Sequence, residues 1–303
     1  MKALVSKPHL LSRVAALTLG KTIGGPGADF IDIPEPAISP DEVLVKVVKV
    51  GSKAAKSWSV GDRIADAVHG GLFPDRGAFA EYLKTDSDLA WKTPADVDDT
   101  VAATFDISAV TAMQALNFRL GLPYPDEEKA TQQQHPAPVI FLYAGSTSAG
   151  LFTIQIAKLA GYTVVTTASP RSTDLVKSYG ADAVFNYQDP EVADAIIKQY
   201  PDVSLAVDCF SEGKPFAVCD AYPGIEHELI MSYTLFGPPF LWLPPVGPEF
   251  PALPDDRKAL ARSYASLPQL VRYKTLRPPP ISLEEGGWDG ILAGLDKLRS
   301  GKM

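Results

Sequence analysis

The chain has 303 residues, long enough for two domains that each bury a core. Apolar residues make up 46% and charged residues 21%, a globular rather than a disordered composition. A net charge of −8 argues against a nucleic-acid partner, and no apolar run reaches the roughly 18 residues of a membrane span.

The opening segment "MKALVSKPHLLSRVAALTLG" is basic and partly apolar, but Ser12 and Arg13 interrupt it and no small-residue cleavage pattern follows. It reads as a first strand pair of a cytoplasmic protein. "DEVLVKVVKV" (41–50) alternates apolar and polar residues, which predicts one half-buried strand. "VGDRIADAVHG" (60–70) predicts a turn and a strand, and "GAFAEYLKTDSDLAWKTP" (77–94) adds aromatic and β-branched content up to a proline stop. "TAMQALNFRLGL" (111–122) predicts a helix stopped by Gly121 and Pro123. The polar "PDEEKATQQQHPAP" (125–138) has the composition of a linker.

From residue 139 the pattern changes. "VIFLYAG" is a strand and is followed by a helix through Leu159. "YTVVTTAS" is a second strand and "STDLVKSYG" a helix closed by Gly180. "AVFNY" is a third strand, "EVADAIIKQY" a helix and "SLAVDCF" a fourth strand. Such alternation predicts an α/β fold with a parallel sheet covered by helices on both faces. Many of the 27 prolines lie in residues 236–254 and 276–283, which indicates long extended connections. Cys209 and Cys219 are too few for a disulfide framework or a cysteine-rich zinc site. His9, His69, His135 and His227 show no ligand spacing and are expected to face solvent or form hydrogen bonds. No metal is expected.

Gly145-Ser-Thr-Ser-Ala-Gly150 sits between the first strand and its helix. Glycine holds the first and sixth positions of a dinucleotide-binding turn, and Thr147 stands at the third. Taken alone, the turn is either a phosphate cradle made of converging amides and hydroxyls, or a well-packed turn. The end of the second strand favours the cradle. An NAD site places an acid there, whereas this chain has Ala168-Ser169-Pro170-Arg171-Ser172. An arginine flanked by hydroxyls attracts a 2′-phosphate, which favours NADP. The alternative is an arginine on a solvated helix start, with Ser169 or Ser172 as cap.

These motifs, with "DEVLVKV", "SWSVGDRIADAVHGG", "SLAVDC", "YTLFG" and "GLDKLRSGK", resemble the medium-chain dehydrogenase/reductase superfamily. Within it they are similar to the zinc-free trans-acting enoyl reductases of fungal polyketide synthase clusters. The resemblance implies an incomplete GroES-like β domain over 1–118, a Rossmann NADP-binding domain over 119–275 and a return segment over 276–303. It implies NADPH in the cleft between the domains. Ser146, Thr147, Ser148 and Ala149 would meet the pyrophosphate, Ser169, Pro170, Arg171 and Ser172 the 2′-phosphate, and Tyr187 the adenine. Thr111, Ala112, Met113, Gln114, Ala115, Leu116, Asn117 and Phe118 would line the substrate pocket with Tyr233, Thr234, Leu235, Phe236 and Gly237. By their apolar pattern, residues 111–118 also read as a packing helix and "YTLFG" as a core strand end.

The implied reaction is hydride transfer to an α,β-unsaturated polyketide thioester carried by the acyl-carrier domain of a partner synthase, performed by a monomer. Its alternatives are a zinc-free quinone or alkenal reductase acting on free small molecules, and a non-catalytic cofactor-binding remnant. The residues name no proton donor, and Lys53 and Lys56 read as a solvated turn. The family pattern has segments this chain lacks: a piece between Val50 and Gly51, one after "AYPG" (221–224), and a closing strand after residue 303. These losses fall on the nicotinamide half of the site and spare the adenosine half.

Overall fold

The computed structural model describes residues 1–6, 28–40, 42–45, 49–71, 73–127, 136–210, 228–242 and 247–299. In the first part, β1 (Lys2–Ser6) pairs antiparallel with β2 (Ala28–Asp32). Among the described residues the opening strand thus pairs with residues 28–32; the rest of the segment read as a first strand pair falls within residues 7–27, which lie outside the described residues. The stretch 41–50 is not one strand. β3 (Glu42–Val45) and β4 (Lys49–Val50) pair antiparallel, with Val43 opposite Val50. Gly51 follows at once, and a Cβ there would lie 2.4 Å from the carbonyl oxygens of Ser39 and Pro40, so the chain closes against its own entry. Lys53 and Lys56 are exposed on the next turn, as expected.

β5 (Ile64–Ala65) pairs with β7 (Trp91–Lys92), and β6 (Leu83–Asp86) adds to the other edge of β3. These short antiparallel sheets form the β unit. α1 (Asp99–Ala102) is capped by Asp98, whose carboxylate accepts from the Thr100 amide, and leads into α2 (Ile107–Met113). The predicted helix does not stay α-helical: residues 114–119 form a wider π-turn, in which the Leu120 amide reaches back to the Ala115 carbonyl.

The second part is the parallel sheet. β8 (Val139–Tyr143), α3 (Ser148–Leu159), β9 (Thr163–Ala168), α4 (Thr173–Ser178), β10 (Ala183–Asn186), α5 (Val192–Gln199) and β11 (Val203–Asp208) follow in order. The strands lie β10-β9-β8-β11, all parallel, which is the arrangement of a Rossmann half with its switch point beside β8. The linker residues 128–135 before it lie outside the described residues. Beyond the sheet come a single turn of helix (Ser232–Phe236), the hairpin β12 (Phe240–Leu241)–β13 (Glu249–Phe250), α6 (Pro254–Arg272) and α7 (Gly287–Arg299). Among the described residues no helix is long and apolar enough to cross a membrane.

The two faces of the sheet bury different cores, because side chains alternate along a strand. Phe141 and Val165 pack with Ile196 of α5 on one face. Ile140, Leu142 and Val164 face the larger core, which runs through α3 and α6 to Trp91, Phe105 and Met113. α3 is buried from Gly150 to Ala157, with the sheet on one side and α2 on the other. Phe152 of α3 meets Phe105 at 5.0 Å between ring centroids, so one apolar contact joins the β unit to the parallel sheet. Phe152→Ala should therefore lower the unfolding free energy by about 3–5 kcal/mol, read from urea denaturation followed by circular dichroism.

Candidate functional site

The turn between β8 and α3 is set by threonines on β9. The Ala144 amide donates to Thr167 Oγ1 and the Gly145 amide to the Thr167 carbonyl, each at 3.0 Å. Ala144 is thereby held at φ +59°, uncommon for a residue with a Cβ. A Cβ on Gly145 would lie 2.2 Å from Thr166 Oγ1, and one on Gly150 would lie 2.6 Å from the Ala144 carbonyl oxygen. Glycine at these two positions is a packing requirement. The middle position has a different use. Thr147 is the N-cap of α3: its hydroxyl accepts from the Gly150 amide at 3.0 Å and donates to the Ala144 carbonyl at 3.0 Å. Its side chain is engaged inside the turn. The amides of Ser146, Ser148 and Ala149 carry no hydrogen bond among the described residues. They stand at the positive end of a twelve-residue helix.

Ser148 borders a cleft of about 230 Å³ whose opposite walls are Ala103, Thr104, Asp106, Ile107 and Ser108 of the β unit and Pro279–Pro280. The prolines are pinned from behind. Gln155 of α3 exchanges two hydrogen bonds with the backbone of Arg277, at 2.7 and 3.1 Å, and the Tyr179 hydroxyl donates to the Pro278 carbonyl at 2.6 Å.

β9 and β10 end beside this turn, because neighbouring parallel strands share their carboxyl edge. After β9, Pro170–Ser172 form one turn of helix, with the Ser169 and Ser172 hydroxyls 3.1 Å apart. Pro170 and Arg171 are exposed, and the Arg171 guanidinium has no partner among the described residues. Ser169 and Ser172 stand at the N-cap positions of this turn and of α4, but neither makes a side-chain cap bond. Tyr187, past the end of β10, is 47% exposed. The residues expected at the adenosine half thus lie along one edge of the sheet.

The expected substrate-side residues divide differently. Ala112, Met113, Ala115 and Leu116 are core, packed against α3 and α6. Gln114 donates to Asp256 Oδ2 at 3.1 Å, and Asn117 donates to the Leu122 and Pro123 carbonyls at 3.2 and 2.7 Å. These six residues form the joint between the two parts, in keeping with the packing-helix reading of this stretch. Thr111 returns its hydroxyl to the Ile107 carbonyl, and Phe118 carries the Arg119 guanidinium at 4.7 Å from its ring centroid. Thr234 is buried and donates to Asp256, beside buried Leu235. Arg119 closes the network with two bonds to Asp256, at 2.7 and 2.9 Å.

"YTLFG" is a turn of helix rather than a strand end, and Gly237 at φ +92° turns the chain away from it. Tyr233 and Phe236 remain accessible. Tyr233 stacks on His69 at 4.2 Å and approaches Trp242 at 5.2 Å. Phe236 lines a smaller pocket of about 50 Å³ with Val68, His69, Phe73 and Arg76. His69 is therefore a half-buried ring-stacking residue, and burial lowers its pKa. His9, His135, His227, Cys219 and the segment 221–224 lie outside the described residues. Cys209 is a free thiol that burial pushes up to about 12, so it is inert at neutral pH.

A group of acids went unnoticed in the sequence. Asp66 follows β5, and Asp106 occupies the N-cap position of α2 without capping it. Burial raises the Asp66 pKa to about 6, against the opposing pull of a Thr85 hydrogen bond and the Arg76 charge. Burial and the neighbouring Asp66 raise the Asp106 pKa well above its ordinary value. Trp91 Nε1 approaches Asp106 Oδ1 at 3.5 Å, and the Tyr264 hydroxyl accepts from the Ala67 amide at 2.8 Å. The available signal was a lone acid inside each of the apolar stretches "RIADAV" and "AATFDISAV".

A nucleotide-edge cleft between a small β unit and a Rossmann half defines a medium-chain dehydrogenase/reductase. The zinc-binding dehydrogenase family matches residues 149–221. The chain is 33% identical over 289 residues to a trans-enoyl reductase of Gibberella zeae, covering 87% of this chain and 79% of the relative. It is 36% identical over 267 residues to a trans-enoyl reductase of Pyricularia oryzae, covering 79% and 72%. A mycobacterial protein solved in complex with NADPH superposes with a TM-score of 0.63 at 18% identity, covering 98% of this chain and 96% of that one. The chain belongs to the trans-enoyl reductase family. Among the described residues, no three His, Cys, Asp or Glu side chains group as a metal site.

The buried acid has a pH signature. Folding moves Asp66 from 3.8 to about 6, so its destabilising effect is absent below the unfolded value, grows as pH rises, and is complete above the folded value. Asp66→Asn should stabilise the protein by ~3 kcal/mol at about pH 7.5 and by nothing at about pH 3. Thermal melts of both proteins across that range provide the measurement.

Proposed function

We propose that this chain is an NADPH-dependent trans-acting enoyl reductase, which reduces α,β-unsaturated polyketide thioesters on the acyl-carrier domain of a partner synthase. The observation that carries the cofactor half is the edge where β8 and β9 end. It offers three unpaired amides at a helix N-terminus and an unpaired arginine between two serine hydroxyls, and β9 ends without a carboxylate. The family membership, and a structural relative solved with NADPH, support the same reading.

The residues present fit the cofactor. The amides of Ser146, Ser148 and Ala149 bind the pyrophosphate, and the glycines at 145 and 150 let the backbone come close enough to do so. Arg171, Ser169 and Ser172 bind the 2′-phosphate by charge-assisted hydrogen bonds, with Pro170 fixing the turn. Tyr187 flanks the adenine. Bound there, the reduced nicotinamide supplies the hydride for the β-carbon of the enoyl thioester. The prolines at 279 and 280 wall the cleft together with residues 103, 104 and 106–108. Tyr233 and Phe236, with His69, present an aromatic and apolar surface to the acyl chain.

Arg171→Ala should raise the Kd for NADPH about tenfold or more and leave the Kd for NADH unchanged, as read by quenching of tryptophan fluorescence. Equal weakening of both cofactors would remove the phosphate role. Turnover on a pantetheine-bound enoyl thioester, set against a free quinone, tests the substrate half; preference for the quinone would overturn it.

A further inference from the structure

The acids behind the cleft are not used by the reading above, and their surroundings are unusual. Asp106 lines the same cleft that Ser148 borders, so an acidic residue and the start of α3 share one space. Asp66 follows Ala65, which lies opposite Trp91 in the β5–β7 pair, and Trp91 in turn reaches Asp106; the Asp66 Oδ2 is buried without a hydrogen-bond partner. Among the described residues neither carboxylate has an ion-pair partner.

The groups that face the pair come from every element around it. Thr85 of β6 bonds Asp66. Arg76 supplies the nearest positive charge, but it is paired with Asp86 at 3.0 Å, and Asp86 is also bonded by Arg257. The Trp91 indole N–H of β7 approaches Asp106. The buried Tyr264 hydroxyl of α6 is close enough for both acids to raise its pKa. Two like charges in so apolar a setting cannot both persist, since ionising the second acts against both desolvation and its neighbour.

We propose that Asp66 and Asp106 share one proton at neutral pH, and that an anionic dinucleotide binds in the adjoining cleft only while the pair retains it. This rests on the dinucleotide reading of the α3 N-terminus. A neutral Asp106 leaves the positive field of α3 free to attract a pyrophosphate. Loss of the shared proton sets a negative charge in the opposite wall, in a space of low dielectric where repulsion is strong. By linkage, dinucleotide binding holds the proton on the pair as strongly as the proton favours binding.

The test has two arms. Infrared spectra of the ligand-free protein at neutral pH, wild type minus Asp106→Asn, should show a protonated carboxyl band that the variant lacks. Fluorescence titration with NADPH should give a wild-type Kd that climbs with pH on the alkaline side, approaching tenfold per pH unit. Asp106→Asn should be flat over the same range. Asp66→Asn, which leaves Asp106 without its like-charged neighbour, should move the onset of the slope to lower pH. Absence of the carboxyl band, or an equal slope in wild type and Asp106→Asn, would overturn the proposal. A folded wild type that shows the band but binds no NADPH at any pH would sink the coupling together with the dinucleotide reading, and would leave the shared proton standing.

Discussion

The close approach of α3 to the sheet governs the rest of the molecule. It is made where Gly145 touches Thr166 and Gly150 touches the Ala144 carbonyl, distances at which no side chain fits. Because the helix begins so near the strand, the Thr147 hydroxyl turns inward to cap it and the next amides stay unpaired. The same approach buries α3 on two sides, which makes it the element on which the β unit rests through Phe105 and Phe152. One steric constraint thus sets both the anion-binding edge and the junction of the two parts.

That junction is completed by a polar network inside an apolar core. Asp256 is 2% exposed and accepts from Arg119, Gln114 and Thr234. A buried carboxylate is tolerated when a guanidinium and hydrogen bonds compensate its desolvation, and removal of one partner would leave the others uncompensated. The π-turn at 114–119 fits this role. Its wider winding presents Gln114, Asn117 and Arg119 to three different partners, which a regular helix would space otherwise.

Asp256 and the Asp66–Asp106 pair show two opposite treatments of buried acid in one chain. The first is neutralised by a cation and fixes geometry. The second has no ion pair among the described residues, so its charge state answers to pH and to whatever enters the cleft. The first suits a permanent joint; the second suits a site that must accept and release an anion.

The sequence by itself determined what depends on local pattern. The strand–helix alternation from Val139 to Asp208, the glycines at 145 and 150, and the turn carrying Arg171 at the end of β9 were all legible, because period and turn chemistry are local. Tertiary structure decided the rest. Residues 41–50 alternate like one strand but fold back on themselves, since which strand an edge pairs with depends on its neighbours and not on its own period. Residues 112–117 carry the apolar pattern of both a pocket wall and a core helix, and only the packing of α3 and α6 against them makes them core. Asp66, Asp106 and Tyr264 lie far apart in the chain. Their meeting follows from how the β unit docks on the Rossmann half, and desolvation, the force that sets their protonation, exists only once that docking has excluded water.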